Sequence, residues 1–323
     1  MSHQYTRVDL GPIAQMHALR RLFGMDSEYS NEALAAIARL ASAQRVPAGE
    51  LLAREGEPFQ HVYLIIDGLL ELFHEGTSLG RFGSGEAVGI LSALARDPQP
   101  WSCRTLRDST LLSLRVSEIF EVFEDHFELM HGSLTKLATD AIGWRRKLQR
   151  PGIQRQPLRT PCVSCGSGPL GLVERTLHLR HTIGLEESYI DQLTELARAA
   201  TELRAPAGSR LWAAGDSAEN MLVVVSGVVQ ATSLDGAPLR FGSGDMLGHL
   251  EAIAAVPRWF DAKVERDLVA LSLDCEALVD VWEDHPALGF AFLRMLSRLV
   301  VSLRLQVARQ APGAAQETAL GSP

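Results

Sequence analysis

The chain has 323 residues, of which 46% are apolar, and a formal net charge of −8. That length and apolar content allow two ordinary domains with real cores and exclude general disorder. The acidic balance excludes a protein whose whole surface attracts nucleic acid or anionic lipid.

The first twelve residues, MSHQYTRVDLGP, lack the apolar core of a signal peptide. No uninterrupted stretch approaches the roughly 18 apolar residues of a membrane helix. Only four cysteines occur, irregularly placed, which fits a reducing compartment better than a disulfide framework. The expectation is a cytoplasmic protein.

Residues 31–44 place Leu34, Ile37, Leu40 and Ala41 at helical spacing, with Asn31 as N-cap. Stretches at strand spacing follow at 51–52, 62–66, 69–73 and 109–114, punctuated by Gly49, Gly56, Gly68, Gly76, Gly83 and Gly85. Residues 117–123 read as a short amphipathic helix and 127–148 as a long one. A Pro/Gly-rich linker occupies 150–172. A second helix at 190–202 carries Leu193, Leu196 and Ala200. Strand text resumes at Leu211, 221–225, 228–231 and 268–273, and helical text at 276–282 and 286–308. In the last helix Leu288, Phe292, Met295, Leu296, Leu299, Leu303 and Val307 form a broad apolar stripe. It covers either its own domain or a second copy in a dimer. Residues 310–323 read as a small, polar, disordered tail.

The two halves are one unit written twice. Pro47-Ala48-Gly49 recurs as Pro206-Ala207-Gly208, Arg81-Phe82-Gly83-Ser84-Gly85 as Arg240-Phe241-Gly242-Ser243-Gly244, and Glu124-Asp125-His126 as Glu283-Asp284-His285. The offset is the same throughout (47 to 206, 81 to 240, 124 to 283). An ungapped self-match of this length means two copies of one folding unit. Short strands with glycine turns make each copy a small β-roll. The expected fold is α+β: two jelly-roll barrels, each flanked by an N-terminal helix and a long C-terminal helix. The expected domains are 15–149 and 173–309, joined by 150–172.

This order of helix, Pro-x-Gly, glycine-rich roll, short helix after Gly-[Asp/Glu], then Pro-Arg and a long helix resembles the cyclic-nucleotide-binding domain family. In that family a cassette reads Gly-Glu/Asp-x-Phe-Gly-Glu-x-Ala-Leu-Leu, then Pro-Arg-x-Ala. The resemblance implies backbone N–H groups and the arginine on a cyclic phosphate, and the second glutamate on the ribose hydroxyl. The second copy reads Gly244-Asp245-Met246-Leu247-Gly248-His249-Leu250-Glu251, then Pro257-Arg258-Trp259-Phe260. It keeps the arginine and replaces the glutamate with His249. The first copy reads Gly85-Glu86-Ala87-Val88-Gly89-Ile90, then Pro98-Gln99-Pro100-Trp101, and loses both. A buried charged hydrogen bond contributes about 1.5–3 kcal/mol, so losing both groups removes roughly two to four orders of magnitude in affinity. The resemblance therefore places a cyclic nucleotide or cyclic dinucleotide in the second copy, with the first degenerate. Arg96 and Arg104 are the candidate substitutes for the missing guanidinium. Trp101, Trp259 and Phe260 either stack on a base or close the core. Arg258 is either the phosphate ligand or half of a surface ion pair.

Cys162-x2-Cys165 followed by His178-x2-His181 comes close to a zinc-ligand spacing. A zinc site, a redox disulfide and an unrelated thiol pair are the three readings. Arg145, Arg146, Lys147, Arg150, Arg155 and Arg159 form a basic run. It is either a solvated helix end, favourable to the helix dipole, or a dock for an acidic partner. Only a short tail follows the last helix, so no DNA-reading element is expected. No nucleophile, base and stabiliser can be named together, so an enzyme is not expected. Two functional readings stand: a sensor that reports to a protein partner or homodimer, and a ligand-free scaffold.

Overall fold

The structure is a computed structural model that describes residues 5–23, 31–98, 100–148, 168–233 and 238–310. The first module runs β1 (Thr6–Arg7), α1 (Pro12–Phe23), α2 (Asn31–Leu40), β2 (Ser42–Val46), β3 (Leu51–Ala53), β4 (His61–Asp67), β5 (Leu70–His74), β6 (Thr77–Phe82), β7 (Ala87–Val88), α3 (Ile90–Ala95), β8 (Ser102–Thr105), β9 (Ser109–Arg115), α4 (Val116–Asp125) and α5 (Phe127–Lys147). The second runs α6 (Leu172–Arg180), α7 (Ile190–Ala199), β10 (Thr201–Ala205), β11 (Arg210–Trp212), β12 (Asn220–Ser233), β13 (Pro238–Phe241), β14 (Met246–Leu247), α8 (His249–Ala254), β15 (Phe260–Asp274), α9 (Cys275–Asp284) and α10 (Pro286–Gln310). Both are antiparallel rolls with helices at each end, as the repeat requires.

Helix α2 ends at Leu40, short of the expected 44, because Ser42–Val46 pairs with β9. Likewise α7 stops at Ala199, because Thr201–Ala205 pairs with β15. Pairing in the sheet overrides the local helical pattern.

The first roll has two sheets, ordered β1-β2-β9-β4-β7 and β3-β8-β5-β6. In the second, β12 and β15 are long enough to serve both halves, and one sheet runs β10-β15-β12-β13 with β11 and β14 attached. The strand pair bends where its register shifts between Val224, Ser226 and Val228. Gly227 sits there at φ +95°, and an added Cβ would lie 2.3 Å from the Asp267 carbonyl oxygen. Its counterpart Gly68, at φ +139°, separates β4 from β5, and its Cβ would meet the Ser109 side chain at 2.2 Å. Glycine is therefore dictated twice, by backbone dihedral and by close approach. The repeated Glu-Asp-His marks a helix junction in each copy: His126 N–H donates to the Val122 carbonyl and His285 N–H to that of Val281.

Proximity divides the chain into two compact units. One unit comprises residues up to Lys136 with those from Ser297 onward; the other is Leu137–Leu296. In the first, a core of Val46, Phe59, Tyr63, Ile65, Leu70, Val88, Trp101, Cys103 and Leu111 is covered in part by Val301 and Leu305 of α10. In the second, Trp212, Leu222, Val224, Val229, Leu247, Phe260, Val264 and Leu268 fill the roll. There Trp282, 1% exposed, meets Phe292 edge to face at 4.9 Å.

Of the apolar stripe of α10, Leu288, Phe292, Leu296 and Leu303 are buried inside the chain. Pro286–Val307 has a mean hydropathy of 1.4 and is long and apolar enough to cross a membrane, which uninterrupted runs do not reveal. Arg294 and Arg298 break the run, and they pair with Glu187 and Asp97 respectively. Half of that stretch is buried against the protein, as expected of a core helix.

Candidate functional site

In the second module the turn Gly242–Asp245 leads into β14 and then α8. The Asp245 carboxylate accepts the Gly242 N–H at 2.7 Å, and the Gly244 N–H donates to the Val224 carbonyl at 2.8 Å. Asp245 thus shapes the turn. Gly248 caps α8 at φ +74°, and an added Cβ would lie 2.2 Å from Arg258 Nη1 and 3.2 Å from Trp212. Leu247 and Leu250, both cassette residues, are buried.

Arg258 lies beneath this turn and is only 3% exposed, so it is no surface ion-pair residue. Its Nη1 donates to the Gly248 carbonyl at 2.9 Å. Its Nη2 donates to the Asn220 carbonyl at 2.5 Å and to Asn220 Oδ1 at 3.0 Å. The guanidinium lies 4.1 Å from the centre of the Trp212 ring, a cation–π arrangement. Its Nε has no hydrogen-bond partner among the described residues, although it is buried. Three hydrogen bonds and the Trp212 ring therefore fix the group, and the Nε donor is left unspent.

Around it gather Glu251, 1% exposed, which meets the Trp259 side chain in a hydrogen bond, and two polar atoms without partners among the described residues, His249 Nδ1 and Trp212 Nε1. Burial pushes the Glu251 carboxyl up, against the pull of Arg258 and of Arg145 from the end of α5. Arg145, from the basic run, is therefore no solvated helix end: it is partly buried and burial works against its charge. Arg146 and Lys147 remain less enclosed, and Arg150, Arg155 and Arg159 lie outside the described residues. Phe260, 3% exposed, belongs to the core of the roll, with Trp259 edge-on at 5.1 Å.

Burial, and secondarily Arg145, lowers the His249 pKa to about 3 from an ordinary 6.5. The folded chain refuses a proton that the unfolded chain takes up between those values. Stability is then full above the ordinary imidazole range and falls as pH drops toward about 3, by at most about 1.4 kcal/mol per pH unit. We expect urea midpoints to fall between about pH 6.5 and pH 5, and to fall less in His249→Gln. Equal losses in both chains would remove His249 as a cause. His61, His131 and His178 shift in the same direction by burial.

The first module repeats the frame without the charge. Gly85, at φ +85°, donates to the Ile65 carbonyl at 2.7 Å, and Glu86 accepts the Gly83 N–H at 2.6 Å. Gly89 caps α3 at φ +101°, pressed against Phe59 and the His61 carbonyl. Gln99 lies outside the described residues. Trp101, 5% exposed, is core. Of the candidate substitutes, Arg96 lies over the Phe120 ring at 4.3 Å, and Arg104 donates to the buried Glu71 at 2.7 and 3.0 Å. Arg298 instead clamps Asp97, just beyond α3, with two bonds of 2.7 and 2.6 Å.

The proposed zinc set does not assemble among the described residues, where no group of three or more His, Cys, Asp or Glu side chains is placed to hold a metal. His178 is 3% exposed, whereas His181 is exposed with its Nδ1 2.9 Å from the Leu177 carbonyl. His181 sits at the C-cap of α6, which ends at Arg180. Cys162 and Cys165 lie outside the described residues. The described thiols, Cys103 and Cys275, are free.

The family described as Cyclic nucleotide-binding domain matches residues 43–126 and 202–285. The chain is 26% identical over 151 residues to "Lysophospholipase nte1" of Aspergillus niger, covering 44% of this chain and 9% of that protein. It is 32% identical over 111 residues to an uncharacterized NTE family protein of Mycobacterium tuberculosis, covering 34% and 19%. The chain thus spans less than a fifth of these relatives. A solved structure of the regulatory domain of Toxoplasma gondii PKA with cAMP shares 16% identity, covering 85% of this chain and 95% of that one, at a TM-score of 0.33. With both copies matched, and together more than half of its residues, the chain belongs to the cyclic nucleotide-binding domain family.

Proposed function

We propose that the chain is a non-enzymatic, cytoplasmic regulatory protein that senses a cyclic nucleotide or cyclic dinucleotide in its second module. Occupancy is passed to a protein partner, or within a homodimer, through the C-terminal helices, with no direct contact to DNA. The observation that carries this reading is Arg258. Asn220, Gly248 and Trp212 hold its guanidinium beneath the α8 turn, and its Nε remains without a partner. A buried unspent donor on a fixed cation is what a phosphate oxygen needs. Gly244, Asp245, Gly248, His249 and Leu250 shape the turn around it, and Trp259 stands at its edge. The first module, without such a group, serves as a structural partner.

The scaffold reading also has an observation behind it: aromatic side chains fill both rolls, Trp101 in the first and Trp212 with Phe260 in the second. Calorimetry and thermal melting with cAMP, cGMP, cyclic di-GMP and cyclic di-AMP separate the two. A ligand at about 100 times its Kd should stabilise the fold by about 2.7 kcal/mol, several degrees in midpoint. That shift should vanish in Arg258→Lys, which keeps the charge without the planar fork. No shift with any of the four leaves the scaffold.

A further inference from the structure

Trp212 lies in the core of the second roll, 8% exposed, and its indole Nε1 has no hydrogen-bond partner among the described residues. A buried N–H in that state is costly, and leucine or phenylalanine would fill the roll without it. Trp282 Nε1 is likewise without a partner there, but that ring meets Phe292, whereas the Trp212 ring meets a cation. The Arg258 guanidinium carbon lies 4.1 Å from the ring centre, and Arg258 Nε is a second buried donor without a partner among the described residues. Gly248 closes on both groups: an added Cβ would lie 2.2 Å from Arg258 Nη1 and 3.2 Å from the Trp212 ring. Glu251, Cys275 and Asp216 also face Arg258, but none accepts either N–H. Glu251 meets the Trp259 side chain, Cys275 Sγ lies 3.5 and 3.7 Å from the Ala218 and Ala252 carbonyl oxygens, and the Asp216 carboxylate accepts the Ala213 N–H at 2.8 Å. The first module has neither donor. The constant offset of the repeat puts Ala53 and Gln99 in the places of Trp212 and Arg258, and Ala53 pairs across the sheet with Cys103 as Trp212 does with Ala262.

We propose that Trp212 is a ligand-binding residue of the second module, its indole N–H donating, beside Arg258 Nε, to the phosphate of a cyclic nucleotide or cyclic dinucleotide. This rests on the reading of Arg258 as the anion-binding group. Indole and guanidinium N–H groups only donate, and an ionised phosphate oxygen only accepts, so two such donors on touching groups suit an oxyanion. The face of the ring holds the guanidinium, while its N–H adds a neutral donor. The site thereby gains a hydrogen bond without gaining charge. Donors fixed before the ligand arrives also lose little to reordering.

The test is calorimetric titration of the full chain with cAMP, cGMP, cyclic di-GMP and cyclic di-AMP, comparing wild type, Trp212→Phe and Arg258→Lys. Phenylalanine keeps a ring against the guanidinium and removes the N–H. Whichever ligand wild type binds should lose about tenfold in affinity in Trp212→Phe, as expected for one buried hydrogen bond to a charged group. In isotopically labelled wild type, the Trp212 indole N–H resonance, assigned by through-bond correlation, should move downfield on saturation with that ligand and exchange more slowly with solvent. An affinity within about twofold of wild type in a folded Trp212→Phe overturns the assignment. So does an indole resonance that stays in place at saturation, which would leave the ring a packing role only; this readout stands even if the variant does not fold. If Arg258→Lys abolishes binding while Trp212→Phe does not weaken it, only the role of Trp212 falls. If wild type binds none of the four ligands, the reading of Arg258 falls with it.

Discussion

Arg258→Ala should lower the stability of the second unit by about 3–5 kcal/mol, as expected when one partner of a buried charged network is removed. The arginine does structural service before any ligand arrives. Its loss removes a donor from the Asn220 carbonyl, from Asn220 Oδ1 and from the Gly248 carbonyl, which keeps only the Ala252 N–H. It uncovers the Trp212 face and leaves the Glu251 carboxylate with less opposing charge. Unsatisfied buried acceptors cost about 1–3 kcal/mol each before relaxation. Urea unfolding followed by tryptophan fluorescence measures the effect, since Trp212, Trp259 and Trp282 all lie in this unit. Arg258→Lys should lose less, because an ammonium still reaches some acceptors. A change within about 0.5 kcal/mol for the alanine variant would mean that the guanidinium network holds nothing together. The alanine variant is accordingly the wrong choice for a binding test, and lysine is the right one.

Gly227→Val should be at least as damaging, above about 4 kcal/mol, and should sharply reduce soluble protein. At φ +95° a β-branched residue is strained whatever its surroundings. Here its Cβ would also press on the Asp267 carbonyl oxygen at 2.3 Å and that of Arg266 at 2.8 Å. Those are backbone atoms of β15, paired with β12 across the module, so they cannot swing aside. Gly208→Ala provides the control. Its φ is +90°, yet nothing lies within 4 Å of an added Cβ, so only the dihedral penalty of about 1–2 kcal/mol applies. Similar losses in the two variants would show that backbone strain alone, and no close approach, selects glycine at 227.

The repeat, the rolls and the turn glycines were legible in the sequence because their causes are local. Gly68 and Gly227 recur because each bend needs a positive φ. The family pattern also singled out Arg258, whose guanidinium is buried beneath the α8 turn. Its surroundings were not legible: Asn220 lies 38 residues away, and nothing near Arg258 in the chain announces it. Arg145 reads as one of six basic residues on a helix end. Only the fold brings it beside Glu251. The spacing of His178 and His181 did not show that His181 caps the end of its helix, where it is exposed while His178 is buried. Trp101 and Phe260 left two readings open until their burial was seen.

The clamp between Asp97 and Arg298 joins positions 201 residues apart, and Val301 and Leu305 reach the same core. During synthesis at about 5–20 residues per second, the first roll waits roughly 10–40 s for the segment that covers it. Throughout that interval part of its apolar edge faces the crowded cell. Although this module emerges first from the ribosome, it is completed last. Errors in the final helix should therefore surface as aggregation of the beginning of the chain.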